Sequence, residues 1–303
     1  LGKNSATGEI IGILKDNPQI GYEIKVWLKG GPKDPEIKNL PSLVKKNGIN
    51  LTVIPPHFKH NIKLTGVLYE LLRSGVEIRD LPGFYELVFR KIPLLDLTET
   101  WFLENQIGQK KFYDDLKRGL SFLAALTLGI ILLPLAFIIA ILIKATSAGP
   151  VIYRQARVGR HNKTFTLYKF RTMVKDAEKG GARWAEINDS RVTPIGHLLR
   201  YTHLDELPQL WNILDGNLSF VGPRPERPEF VVFLKEKIPY YEIRHLLTPG
   251  LTGWAQINYR YGASPEDAYE KLQYDIYYLK NRSLVLDLAI ILKTIKSLFV
   301  NHE

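Results

Sequence analysis

The chain has 303 residues, of which 45% are hydrophobic, with no cysteine and a formal net charge of +10. That hydrophobic content is ample for packed cores, so a disordered chain is excluded, and the length suffices for two domains. The missing cysteine excludes disulfides, thiolate metal sites and cysteine nucleophiles, leaves the chemistry to oxygen and nitrogen, and fits a reducing compartment.

The charge is uneven. Residues 1–104 hold 14 basic and 12 acidic side chains, and residues 105–303 hold 27 and 19. Anionic lipid head groups and phosphate substrates are therefore the expected partners; nucleic acid is not, because no basic stripe with interleaved aromatics is present. The chain begins at Leu1 and its one methionine is Met173, so it is expected to start inside a longer product.

Residues 1–104 read as alternating helix and strand. Helices are expected at Thr7–Lys15, Leu40–Asn47, Leu64–Ser74 and Pro82–Arg90, and strands at Tyr22–Leu28, Leu51–Ile54 and Val76–Arg79. This pattern predicts a small Rossmann-like α/β module with a parallel sheet. Gly2 and Gly8 lack the G-x-G-x-x-G spacing, so a structural or dimerising role is favoured over a dinucleotide site. Thr98–Gln109 reads as a polar connector, with the domain boundary near Glu104.

Next comes Leu120–Ile143, 24 residues without a charged side chain. As one helix it would be roughly 36 Å long, enough to cross a bilayer. Lys110, Lys111, Lys117 and Arg118 precede it, and Lys144, Arg154, Arg157, Arg160 and Lys163 follow. Short flanks rich in Lys and Arg stay cytoplasmic, so a straight span would put one flank on the wrong side. A re-entrant hairpin near 117–143, kinked at Pro134, removes the conflict; a straight span and a buried core helix are the alternatives. Pro134 frees the carbonyl of Ile130, which must find another partner.

Beyond it, Val151–Tyr153 and Phe165–Tyr168 read as paired strands around Gly159–Lys163. Val174–Lys179, Gly196–Thr202 and Glu206–Leu214 read as helices. In Leu284–Val300 the residues Ser283, Asp287, Lys293, Thr294 and Ser297 share one arc and apolar residues cover the rest, so this helix either lies on a membrane or closes a core.

Asp205 and Glu206 stand side by side between apolar residues. Adjacent carboxylates repel, so holding both near one site requires a compensating cation, a metal ion among the options, or a raised pKa; the plainer reading is a helix-start charge pattern. Lys169, Arg171, Arg191, Arg200, Arg224 and Arg260 crowd the same stretch beside turns or at the ends of apolar runs, and guanidinium forks suit phosphate oxygens. Trp184, Tyr259 and Tyr261 are candidates for a base or sugar pocket.

Several motifs occur in order: the Pro-containing apolar segment, GPVIYRQ from Gly149, YKFRTM from Tyr168, LDELPQLWN from Leu204, GPRPE from Gly222 and PGLTGWAQ from Pro249. With them, residues 117–260 and more loosely the remainder to the C-terminus resemble the bacterial sugar transferases, the monotopic phosphoglycosyl transferases. Residues 1–104 resemble part of the long-form members, which carry transmembrane helices upstream. The resemblance implies an α+β monotopic catalytic domain over 105–303 at the cytoplasmic face of the bacterial inner membrane. It implies transfer of a sugar 1-phosphate from a UDP-sugar to undecaprenyl phosphate with Mg²⁺, releasing UMP, in exopolysaccharide, capsule or O-antigen synthesis. Asp205 maps to the family nucleophile, which would form an aspartyl-phosphosugar and meet the metal, and Glu206 to its neighbour as proton acceptor or orienter. Lys169, Arg171, Arg200, Arg224 and Arg260 would hold substrate phosphates. A homodimer through residues 1–104 is a further expectation. The family often has a serine just before the membrane proline; here that position is Leu133. Two other classes stay open, an enzymatically silent membrane scaffold and a nucleotide-binding regulatory module.

Overall fold

The computed structural model describes residues 5–30, 37, 39–58, 61–105, 110–175, 177, 189–259 and 264–300. Contacts divide the chain between Asn105 and Gln106 into two units.

In the first unit, helices α1 (Ser5–Asp16), α2 (Leu40–Lys46), α3 (Ile62–Arg73), α4 (Leu81–Phe89) and α5 (Glu99–Glu104) accompany strands β1 (Leu51–Ile54) and β2 (Glu77–Asp80). The strands pair in parallel, Leu51 opposite Glu77, with α3 as the crossover. Ile54, Phe58, Leu64, Leu71 and Val76 fill the core between them. Tyr22–Leu28 is no strand. Its β-branched and aromatic composition suits a strand, but β1 pairs only with β2 among the described residues, and a strand exists only where its backbone finds a ladder partner. The layered Rossmann-like sheet is thus represented by one βαβ crossover. The polar connector also differs from expectation: Thr98 accepts a hydrogen bond from the Trp101 amide and starts α5, with Trp101 buried.

The second unit is built around α6 (Lys111–Thr146), 36 residues and roughly 54 Å at about 1.5 Å per residue. Its helical assignment runs uninterrupted through Pro134, so no loop separates two hairpin arms. The Thr127 hydroxyl bonds the carbonyl of Leu123, not that of Ile130. Both ends of α6 pack on the same unit. Toward the start, Arg282 holds Asp114 at 3.0 Å, Lys117 meets Asp287 at 3.1 Å and Ala125 packs among Leu167, Ile213 and Leu218. Toward the end, Ile139 and Ile143 pack on Phe170 and Leu199. Between them, Ile130, Leu133 and Phe137 are about two-thirds exposed, at 67%, 67% and 68%.

Strands β3 (Ile152–Val158) and β4 (Thr164–Phe170) form the expected antiparallel hairpin, with β3 running on to Val158 and β4 extending past both of its expected ends. Helix α7 (Pro194–Tyr201) starts at Thr193, whose hydroxyl accepts from the Gly196 amide. Gly196 admits no side chain, since a Cβ there would sit 2.0 Å from the Thr172 carbonyl oxygen. The expected helix at Val174–Lys179 does not begin: Met173 instead forms a β-bridge with Val192 and Val174 is irregular, while Asp176 and residues 178–179 lie outside the described residues.

Helix α8 (Gln209–Leu214), strand β5 (Ser219–Val221), α9 (Pro228–Lys237), β6 (Gly250–Thr252), α10 (Trp254–Asn258), α11 (Pro265–Asn281) and α12 (Leu284–Val300) complete the unit. On α12 the polar arc faces the protein: Asp287 accepts from Tyr113 and Tyr278, and Thr294 bonds Thr252. Ile290 is buried with it, while Val285, Leu288 and Leu292 are exposed.

Candidate active site

The Asp205–Glu206 pair sits on a turn, not inside a helix. His203 adopts the left-handed conformation, φ 54°, and the chain then makes one 3₁₀ turn over Leu204–Glu206 before α8 begins. Leu204 and Leu207 anchor that turn in the cluster beneath the end of α6. At about three residues per turn the two acidic side chains diverge widely, and each finds a different environment.

Glu206 is clamped. Lys169 Nζ and Arg224 Nη2 both donate to its Oε1, at 2.7 and 2.8 Å. Burial pushes this carboxyl up, but the Arg224 and Lys169 charges outweigh it and hold it well below the usual carboxylate range. Asp205 lies 4.0 Å from Lys169 Nζ and is buried. Burial, with the Glu206 charge adding to it, pushes the Asp205 carboxyl above its ordinary value, and Lys169 only partly offsets this. Burial also lowers the Lys169 ammonium despite the carboxylates beside it.

Both cations are placed by backbone contacts. Asn212 of α8 accepts from the Tyr168 amide at 3.0 Å and donates to the Thr166 carbonyl at 2.7 Å, which ties β4, and with it Lys169, to the helix that follows the pair. Arg224 rides on a loop held from three directions. The Gly250 amide donates to the Pro223 carbonyl, Arg244 donates to the Arg224 carbonyl at 2.8 Å and Arg157 to the Pro225 carbonyl at 2.9 Å. Here β5 and β6 nearly touch, for a Cβ on Gly250 would meet the Gly222 nitrogen at 2.1 Å. Arg244 is itself buried against Asp275, 2.9 Å away.

A cavity of about 680 Å³ opens beside Glu206, and Asp205 is not part of its lining. It is polar at His203, Glu206 and Arg224 and apolar along Leu210, Phe220 and Ile291.

A family model for bacterial sugar transferases matches residues 112–301. The chain belongs to the bacterial sugar transferase family. Among curated relatives, a UDP-N-acetylgalactosamine-undecaprenyl-phosphate N-acetylgalactosaminephosphotransferase of Aeromonas hydrophila is 43% identical over 64% of this chain and 47% of its own length. A UDP-glucose:undecaprenyl-phosphate glucose-1-phosphate transferase of Klebsiella pneumoniae is 30% identical over 97% of this chain and 63% of its own length. A protein of the same name from Escherichia coli K12 is 38% identical over 61% of this chain and 40% of its own length. The match thus spans from two-fifths to just under two-thirds of the length of these relatives.

In this member of the family the cations named from sequence fall into three groups. Lys169 and Arg224 reach the carboxylate pair. Arg200 donates to the Thr172 hydroxyl at 2.9 Å and acts on Asp205 through its charge. Arg171 donates to the carbonyl and hydroxyl of Ser147 and to the Pro150 carbonyl, at the C-terminal end of α6. The orphan carbonyls of a helix end accept from cationic side chains. Arg260, Trp184 and Tyr261 lie outside the described residues, and Tyr259 donates its hydroxyl to Asp267. Sequence reasoning missed Asn212, Arg157, Arg244 and Asp275 as supports of the site. Asn212 ends the LDELPQLWN motif and Arg157 adjoins the GPVIYRQ motif, which was the available signal; Asp275 had none.

As to a metal, no three His, Asp or Glu side chains converge among the described residues. Asp205 alone, with phosphate oxygens of a substrate, is a fitting donor set for Mg²⁺, which is held by one or two carboxylates plus phosphates and water.

Proposed function

We propose that this chain transfers a sugar 1-phosphate from a UDP-sugar to undecaprenyl phosphate through a covalent bond to Asp205. The observation that carries it is the division of labour in the pair: Glu206 is neutralised by Lys169 and Arg224, while Asp205 is buried, under-neutralised and free to act. The curated relatives' names supply the substrates.

An Asp205 oxygen attacks the β-phosphorus of the donor. The bond from that phosphorus to the bridging oxygen breaks and UMP leaves with the electron pair. An oxygen of the lipid phosphate then attacks the same phosphorus and displaces Asp205, giving undecaprenyl-diphosphate-sugar. Two steps let two bulky substrates use one site in turn. Lys169 and Arg224 sit where they can share donor phosphate oxygens with Glu206, and Glu206 acts as an orienter, because a carboxyl held so acidic is a poor proton acceptor. Mg²⁺, held by Asp205, would supply neutralisation of phosphate charge. The half-apolar cavity suits a phosphate head joined to an isoprenoid chain.

The membrane seat is a re-entrant α6 entering from the cytoplasmic face. One folded unit touches both halves of α6, so both basic flanks return to one side, and the apolar middle of α6 and the outer face of α12 meet lipid. Single cysteines placed by Lys111→Cys and Lys144→Cys in this cysteine-free chain should both be labelled from the cytoplasm only. Labelling from opposite sides would establish a straight span.

The deciding experiment measures UMP release by purified protein from a panel of UDP-sugars with Mg²⁺, with and without undecaprenyl phosphate, beside Asp205→Asn. Lipid-dependent UMP from one donor, lost in the variant, supports reaction and nucleophile together. No UMP from any donor by folded protein would return the chain to the scaffold class.

A further inference from the structure

A second cavity, about 340 Å³, lies at the root of α6 among Lys111, Lys117, Arg118, Arg160, Ser219 and Arg282. It is remote from the carboxylate pair. Arg160 follows the Val158–Thr164 end of the hairpin, whereas Lys169 stands near the other end opposite Tyr153, which separates them by roughly 20 Å at about 3.4 Å per strand residue.

Its charges do not balance. Five cations line the cavity against two carboxylates, Asp114 and Asp115. Arg282 is committed to Asp114 at 3.0 Å and Lys117 to Asp287 at 3.1 Å. Lys111, Arg118 and Arg160 make no ion pair among the described residues, and Arg160 Nε is buried without a hydrogen-bond partner there. Burial and the Arg282 charge lower the Lys117 ammonium even with Asp287 beside it. A buried, unused guanidinium donor among surplus cations is a site for an anion.

The rest of the lining narrows the anion's class. Ser121, Ser219 and Thr248 bring hydroxyls to the cavity, and Ile213, Leu218 and Leu247 give it an apolar floor. Leu120, which opens the apolar stretch of α6, is adjacent in sequence to this lining. A free phosphate has no use for the apolar floor; a phosphate joined to an acylated glycerol does.

We propose that this cavity binds one anionic phospholipid through its phosphodiester, with Arg118 and Arg160 on the phosphate, and so fixes the root of α6 at head-group depth. The site needs no turnover and is independent of the reaction proposed above.

The test is native mass spectrometry of the full chain in detergent, titrated with phosphatidylglycerol, phosphatidylcholine or inorganic phosphate. Wild type should retain one phosphatidylglycerol at a concentration at least tenfold lower than phosphatidylcholine. Arg118→Gln/Arg160→Gln should lose about tenfold, and the exposed Arg118→Gln alone a smaller part of it. Lys144→Gln/Arg154→Gln, an equal charge change at the far end of α6 and of the β3–β4 hairpin, should bind as wild type does. Equal losses in the two double variants would reduce the site to diffuse attraction and overturn the proposal. Displacement of phosphatidylglycerol by inorganic phosphate at comparable concentration would overturn it in favour of a free-anion site.

Discussion

Two buried clusters of acid and base meet at the loop that carries Arg224, and they are built differently. In one, a single acid faces a single guanidinium: Asp275 and Arg244 are 2.9 Å apart with side chains 2% and 6% exposed, and the remaining Arg244 donors go to the Tyr241 hydroxyl and the Arg224 carbonyl. In the other, two acids share two cations, both cations settle on one oxygen of Glu206, and a cavity opens alongside. Burial shifts a carboxyl in both, raising Asp275 to about 6 as well as raising Asp205. A shifted carboxyl therefore does not by itself mark the site of chemistry. What sets the second cluster apart is an unbalanced charge with a cavity alongside. The closed cluster holds a loop in place; the open one has room for phosphate.

The largest separation of the two should come from Asp205→Asn. Loss of UMP release by at least about 10³-fold is expected, with thermal stability unchanged or raised, because the folded state disfavours an ionised Asp205. Arg244→Met should do the opposite first: a loss of about 3–5 kcal/mol in urea unfolding from stranding Asp275, with most of it restored in Arg244→Met/Asp275→Leu. If Arg244→Met keeps its stability, the closed cluster is not what holds the loop. Arg224→Lys keeps the charge but removes the fork, and should cost about 10–100-fold in kcat/KM at nearly unchanged stability. The smallest effect is in the pH profile. If the proposed nucleophile is the ionised form of Asp205, whose pKa burial raises, activity should fall, as pH drops, through an apparent pKa above the ordinary 3.8. Glu206→Gln removes a like charge and frees Lys169 and Arg224 to favour the ionised form, which should move that acid limb down by up to about one pH unit. An acid limb that stays in place would assign it to another group.

Local patterns carried far in this chain. The β3–β4 hairpin, α7, α12 and the apolar stretch of α6 follow from periodicity, turn residues and length, all properties of neighbours in sequence. Tyr22–Leu28 failed because strand residues without a partner strand leave their backbone groups unpaired. The stretch from Val174 failed because Met173 pairs across the chain with Val192, a bond that no local period reports. At the site, the residue types at Asp205, Glu206, Lys169 and Arg224 were readable. The contacts of Arg171 were not, since only the fold brings the Ser147 and Pro150 carbonyls to its guanidinium.

The sequence by itself determined which chemistry was available: adjacent carboxylates, several cations, no thiols and one long apolar segment with basic flanks. Tertiary structure decided which carboxylate is neutralised and which is left under-compensated, which arginine meets the pair and which meets a helix end, and that both halves of α6 rest on one folded unit. The physical reason is reach. Propensity and periodicity act over a few residues, whereas the charge balance of a buried site sums over side chains such as Lys169 and Arg224 that only folding brings within 3 Å of Glu206.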